Sequence, residues 1–319
     1  MQLGVMVEGQ EGLTWERWRR IMAGAEALGF ESLWRSDHFT SPLDCSRESL
    51  ETWVALTVAA TETTRLRFGP LVCPITFRHP ALLARMAAAL DTLSGGRLVL
   101  GLGAGWNEQE HRAFGLPFPP LRERMDMLAE GIEVIVRLWA AEPAYFAGRH
   151  YRLAGANPYP KPLQRPRIPL LIGGTGQSRT LRIVARYADE WDAQGAITPA
   201  DYRARSERLA ACCREIGRDP AEIRRCVSTA YLIGRDEPEL RRRGEAIQRL
   251  VPGLEQVDVA AVPDTLRSLG WLVGTPDELA TSLRDLADEG VERVMLQHND
   301  QDDLAALELI AREVMPAVA

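Results

Sequence analysis

Leu98-Val99-Leu100-Gly101-Leu102-Gly103-Ala104-Gly105-Trp106 is an apolar run that ends in a turn almost without side chains. A second such passage, Leu170-Leu171-Ile172-Gly173-Gly174-Thr175-Gly176, opens onto a helical segment from Ser178. Each reads as a strand followed by a glycine turn, where the missing Cβ lets backbone N–H groups approach a flat ring or a phosphate. Two such turns, at the carboxyl ends of strands in one parallel array, mark the two ends of one elongated ligand.

Working outward, short apolar runs alternate with stretches of helical periodicity along the whole chain. Strands are read at residues 3–7, 32–34, 66–72, 98–102, 169–173, 190–193, 225–233 and 293–297. Repeated βα units imply a parallel sheet, and eight strands favour a closed barrel over an open one. The expectation is an α/β fold, a (β/α)8 TIM barrel with insertions over the C-terminal face, in which residues 1–319 form a single domain. In the stretch 15–28, Trp18, Ile21, Met22, Ala25 and Leu28 share a stripe, and Gly29 stands where a helix C-cap belongs. Helices are also read at 80–93, with Pro80 in the first turn, at 121–139, and at 276–286 behind Thr275 as N-cap. Two connections are too long for turns. Residues 140–168, with prolines interleaved among Tyr145, Phe146, Tyr151 and Tyr159, read as an ordered excursion over the barrel mouth. Residues 251–273, with Pro252, Pro263 and Trp271, read as a second lid or binding loop.

Composition narrows the function. A net charge of −6 without a concentrated Lys/Arg block argues against nucleic acid and membrane surfaces, leaving a small molecule as partner. No apolar run approaches a membrane span, and the opening residues read as a strand rather than an export signal. Cys45, Cys73, Cys212, Cys213 and Cys226 have neither metal-ligand spacing nor disulfide density, so the expected compartment is cytoplasmic. The five histidines show no zinc spacing, and no serine stands in a glycine-flanked elbow, so neither a metal site nor a serine hydrolase is expected. Lys161 is the single lysine; a phosphate or carboxylate clamp here is built from arginine.

In such barrels the reactive groups stand at the carboxyl ends of strands. Asp37 and His38 follow strand 32–34, and an acid beside an imidazole can fix its tautomer or bond a polar ring. The plainer reading makes Asp37 a turn cap and His38 a buried side chain. Cys73 reads as packing, and His298 as a loop residue. Residues 101–105 fail as a dinucleotide fingerprint, because the following helix lacks its glycine and no strand with a terminal acid follows at the required distance. Residues 173–176 read as an anion cradle to which Arg179 adds charge.

Taken together, Leu33-Trp34-Arg35-Ser36-Asp37-His38, Phe77-Arg78-His79-Pro80, Leu93-Ser94-Gly95-Gly96-Arg97-Leu98, the turn through Trp106, and Ile172-Gly173-Gly174 through Ala188-Asp189-Glu190-Trp191 resemble the luciferase-like monooxygenase superfamily in order and spacing. Ser36-Asp37-His38 and Gly103-Ala104-Gly105-Trp106 are more similar to the branch that uses the deazaflavin coenzyme F420 than to the FMN branch. The resemblance implies a tricyclic ring across the barrel mouth. It implies that Asp37 and His38 contact the ring or substrate near the hydride-bearing carbon, with His38 as proton donor or acceptor. It further implies a non-proline cis peptide at Leu71-Val72 pressing on one ring face. Gly103, Ala104, Gly105 and Trp106 would then line the ring edge, and Gly173, Gly174, Thr175, Gly176 and Gln177 would hold the phosphate. Arg78, Arg165, Arg167 and Arg179 would border a groove for the acidic tail. Sugar-phosphate dehydrogenases of this branch carry a glutamate after the turn, where this chain has Trp106, so sugar-phosphate oxidation is not expected. Trp34 and Trp106 point to an apolar or flat substrate. The implied activity is hydride transfer between F420 and a small unsaturated or carbonyl compound in a homodimer. The alternative is an FMN-dependent monooxygenase using reduced flavin and oxygen; a cofactor-free barrel lyase or isomerase and a catalytically silent binding barrel are further rivals.

Overall fold

The two glycine-ended runs are neighbours in a parallel barrel: Leu100 pairs with Leu170 and Leu102 with Ile172 in the computed structural model, which describes residues 1–174, 178–195 and 198–319. The strands are β1 (Gln2–Val7), β2 (Ser32–Arg35), β3 (Arg67–Pro70), β4 (Cys73–Pro74), β5 (Leu100–Gly103), β6 (Ala144–Ala147), β7 (Arg152–Ala156), β8 (Leu170–Gly173), β9 (Glu190–Asp192), β10 (Arg224–Ile233), β11 (Leu272–Gly274) and β12 (Arg293–Gln297). Around the barrel the order is β3-β2-β1-β12-β10-β9-β8-β5-β4. The single strand read at 66–72 is interrupted at the cis peptide Leu71-Val72, so β3 and β4 share one barrel position. A bridge between Phe68 and Leu98 and the pairing of Cys73 with Leu102 close the ring there.

The helices are α1 (Trp15–Leu28), α2 (Thr52–Glu62), α3 (Pro80–Leu93), α4 (Glu108–Ala113), α5 (Leu121–Trp139), α6 (Ser178–Tyr187), α7 (Pro199–Glu215), α8 (Glu237–Leu250), α9 (Val262–Ser268), α10 (Pro276–Asp288) and α11 (Leu304–Leu309). Local chemistry sets their ends. Thr14 accepts from Arg17 N at 3.1 Å, α1 buries Trp18, Ile21, Met22 and Ala25, and Gly29 stops it at φ 88°. Thr275 and Glu278 form a reciprocal capping box on α10. None of the described helices is long and apolar enough to cross a membrane.

The main core lies between helices and barrel, and a second fills the lumen with Met6, Trp34, Leu71, Val99, Leu171, Cys226 and Met295. Trp34, read as a substrate contact, belongs to this lumen. Its Nε1 donates to Ser32 Oγ at 2.8 Å, and the Arg293 guanidinium lies 5.4 Å from its ring centre. Arg293 itself is wholly buried between Glu190 and Glu31 at the amino-terminal end. Trp34 therefore points toward the barrel bottom, away from the mouth.

The excursion at 140–168 also differs from its reading. It contains the antiparallel β6–β7 hairpin and runs along α3 and α5: Lys161 Nζ donates to Leu138 O at 3.0 Å, Leu163 N to Asp91 at 2.7 Å, and Gln164 to Leu98 O at 2.7 Å. A segment leaving the end of a helix and entering the start of a strand belongs at the amino-terminal rim. The mouth is covered instead by residues 36–51, 104–120 and the second long connection. In the latter, β11 pairs with the outer end of β10 and brings Leu269, Gly270 and Trp271 inward.

Candidate active site

A cavity of about 800 Å³ opens at the carboxyl ends of the strands. Its floor is the top of the lumen core, Met6, Leu71 and Val72. Gly103 and Gly173 flank Val72: a Cβ on Gly103 would stand 2.6 Å from Val72 Cγ2, and one on Gly173 would stand 3.1 Å from its Cγ1. These glycines make room for the Val72 side chain, so part of what reads as ligand clearance serves the neighbouring strand. Gly103, Ala104, Gly105, Trp106, Gly173 and Gly174 all border this one cavity. Thr175, Gly176 and Gln177 lie outside the described residues.

His38 lines the cavity beside Trp106. Its Nδ1 stands 2.8 Å from Glu110 Oε2, and the other oxygen of Glu110 accepts from Phe39 N at 2.5 Å and Thr40 N at 3.3 Å. Burial pulls the imidazole pKa down, but the hydrogen bond and charge of Glu110 outweigh it and hold His38 above the ordinary histidine value. With Nδ1–H given to the carboxylate, Nε2 is left as the nitrogen free for a ligand, and it has no hydrogen-bond partner among the described residues. Trp106, 66% exposed at the mouth, packs edge-on to the imidazole with ring centres 5.5 Å apart. Beside them Ser36 Oγ donates to Gln10 Oε1 at 2.7 Å, and Gln10 Nε2 donates to Glu8 Oε2 at 2.8 Å. Glu8, Gln10 and Ser36 line the cavity as well.

Asp37 takes a different place from the one read for it. Its carboxylate is 1% exposed, does not line the cavity, and is gripped by both terminal nitrogens of Arg78, which also reaches Glu51 at 2.8 Å. The acid serving His38 is Glu110, 72 residues away in sequence. The only local signal was the spacing Asn107-x-x-Glu110, which reads as a helix cap; Asn107 does cap α4, but the Glu110 side chain turns to His38. Cys73 is fully buried and burial pushes its thiol up, in keeping with packing. His298 sits in the loop after β12, buried and bonded to Tyr231 Oη at 2.7 Å, with burial lowering its pKa to about 4.

Across the cavity, Ser228 N and Ser228 Oγ both donate to the Asp192 carboxylate at 2.8 Å. Burial drives that carboxyl up to about 6, with the Ser228 bonds working in the other direction. At the outer rim stand Arg122 and Arg179, the latter paired with Asp126 and donating to Arg122 O at 2.9 Å. Of the four arginines read as a groove border, Arg179 alone lines the cavity: Arg78 is held by Asp37, Arg165 bonds the carbonyls of residues 162–164, and Arg167 pairs with Asp189.

A family model described as luciferase-like monooxygenase matches residues 1–293. The chain belongs to the luciferase-like monooxygenase family. One curated relative, an F420-dependent hydroxymycolic acid dehydrogenase of Mycobacterium tuberculosis, is 32% identical over 92% of this chain and 81% of its own length. Two solved luciferase-like folds superpose on the barrel. An F420-dependent secondary alcohol dehydrogenase in complex with an F420-acetone adduct matches with TM-score 0.84 and 23% identity, over 100% of this chain and 99% of that one. The FMN-bound oxygenating constituent of 3,6-diketocamphane monooxygenase from Pseudomonas putida matches with TM-score 0.79 and 20% identity, over 100% and 99%.

Proposed function

We propose that this luciferase-like protein is an oxidoreductase that binds F420 and exchanges a hydride between it and a small unsaturated or carbonyl compound. The observation that carries the reading is the His38 imidazole, tied through Nδ1 to a buried carboxylate and presenting Nε2 to a cavity with an apolar floor. The residues present fit an elongated anionic ring molecule. Leu71 and Val72 offer an apolar support, Gly103, Ala104, Gly105, Gly173 and Gly174 leave the edges nearly free of side chains, and Arg122 and Arg179 at the outer rim would meet an acidic tail. Bound there, the deazaflavin would supply the hydride acceptor or donor. His38 Nε2 would take the proton from, or return it to, the substrate oxygen, while Glu110 holds the ring orientation and offsets the imidazolium charge. Trp106 and Trp271 would narrow the mouth and exclude water, favouring an apolar substrate. A relative named as an F420-dependent dehydrogenase supports the cofactor.

Mass spectrometry of cofactor released from native protein, with absorbance titrations of F420 and FMN, tests the reading. Tight F420 binding is the expected result. Binding of FMN alone would overturn it in favour of a flavin monooxygenase. A homodimer belongs to the same reading, and light scattering should give twice the chain mass.

A further inference from the structure

Asp192 is a buried carboxylate at the end of β9, where its strand pairs with β10. Among the described residues its partners are hydrogen-bond donors rather than cations: Ser228 N, Ser228 Oγ and the backbone N–H of Gln194. Of the two backbone donors, Ser228 N ties the end of β9 to β10 and Gln194 N binds from the residues that follow β9; neither bond needs a side chain at 228. The hydroxyl is the part of this pair that reaches the cavity, since Ser228 stands on the inward-facing row of β10 with Cys226 and Ala230 and lines the cavity wall. A serine hydroxyl has one hydrogen and two lone pairs. Its hydrogen is committed to Asp192, so toward a ligand the oxygen can only accept.

We propose that Ser228, oriented by Asp192, is a binding residue of this cavity: a fixed hydrogen-bond acceptor that selects an N–H or O–H of the ligand and disfavours a carbonyl at that point. This inference rests on the F420 reading above. Two ligand groups carry the required chemistry, the imide N–H of the cofactor ring and the hydroxyl of an alcohol substrate. Asp192 is a positioning residue, because it acts through the serine.

Ser228→Ala and Asp192→Asn separate these cases, with circular dichroism and melting curves confirming that each variant is folded. Binding is read by fluorescence titration with F420 and with its ring methylated at the imide nitrogen, and turnover by KM for an alcohol and its matching ketone. If the ring is the donor, Ser228→Ala weakens F420 about tenfold and abolishes discrimination against the methylated ring. If the substrate hydroxyl is the donor, the same variant raises the alcohol KM about tenfold and leaves the ketone KM unchanged. Asp192→Asn places an amide N–H against the serine oxygen, frees the hydroxyl hydrogen to point outward, and weakens the same ligand. Should it fail to fold, Ser228→Ala alone decides. Wild-type protein that binds F420 while Ser228→Ala matches it in both measurements overturns this inference alone. Wild-type protein that does not bind F420 overturns the functional reading and this inference with it.

Discussion

Replacing Glu110 with glutamine tests the chemistry at its centre. The wild-type contact joins His38 Nδ1 to Glu110 Oε2 at 2.8 Å, with the carboxylate side chain wholly buried and the imidazole 13% exposed. The amide oxygen can keep the bonds from Phe39 N and Thr40 N, which turns the amide N–H toward His38. Nδ1 must then accept, the ring proton moves to Nε2, and the nitrogen facing the cavity loses its lone pair. Loss of a charge-assisted hydrogen bond costs about 1.5–3 kcal/mol of stability. Loss of the general base lowers kcat for alcohol oxidation by roughly 10²- to 10⁴-fold, with F420 affinity little changed. The pH sign follows from the causes. Glu110 raises the His38 pKa against burial, so its removal leaves burial in charge and moves the histidine limb of the rate profile to lower pH. In the wild type the His38–Glu110 pair stabilises fully below the unfolded histidine pKa of about 6.5, and that contribution fades as pH rises through the raised folded value. The stability gap between wild type and variant must therefore narrow toward alkaline pH. Deazaflavin absorbance at saturating alcohol gives kcat against pH, and thermal melts give the gap. A variant that keeps kcat within about twofold and an unmoved profile would refute the role assigned to the pair.

Gly103→Ala pushes a methyl into Val72 Cγ2 and should cost about 1–3 kcal/mol in a melt while weakening ring binding. Arg122→Ala should weaken full-length F420 and flatten its salt dependence while leaving the tail-less chromophore unaffected; Arg179→Ala should do less, since Asp126 already engages that charge. Asp192→Asn should change how stability depends on pH. The wild-type carboxyl is raised from 3.8 to about 6, so its protonated form favours the fold at low pH. Across the window between those values the unfolded chain releases its proton first, and the wild type should lose about 3 kcal/mol relative to the variant. Denaturant melts at several pH values measure it, and a pH-independent difference would count against the burial assigned to Asp192.

The strands and helix caps were legible because their signals are local: alternating apolar runs, Thr14 and Gly29 around α1, Thr275 before α10. The glycines at 103 and 173 were legible as places of close approach, though the sequence did not say that Val72 is one of the approaching groups. Trp34 was misplaced because β2 is buried at every position, so periodicity along it carries no record of which end of the barrel a side chain addresses. The excursion at 140–168 showed its order in its composition but not its rim, which follows from its place between α5 and β8. The acids around His38 were the hardest to read, since adjacency in sequence pointed to Asp37 while space supplied Glu110. The two acids have different partners, Arg78 for Asp37 and His38 for Glu110. Arg78 pairs with Asp37 behind the wall, and Glu110, bonded to Nδ1, raises the imidazole pKa more than Glu8 or Asp37 does. A strand end that exposed both carboxylates to one histidine would raise its pKa further and leave less of the neutral ring to accept a proton. Pairing Asp37 with Arg78 while Glu110 holds Nδ1 leaves His38 able to give and take a proton within one turnover.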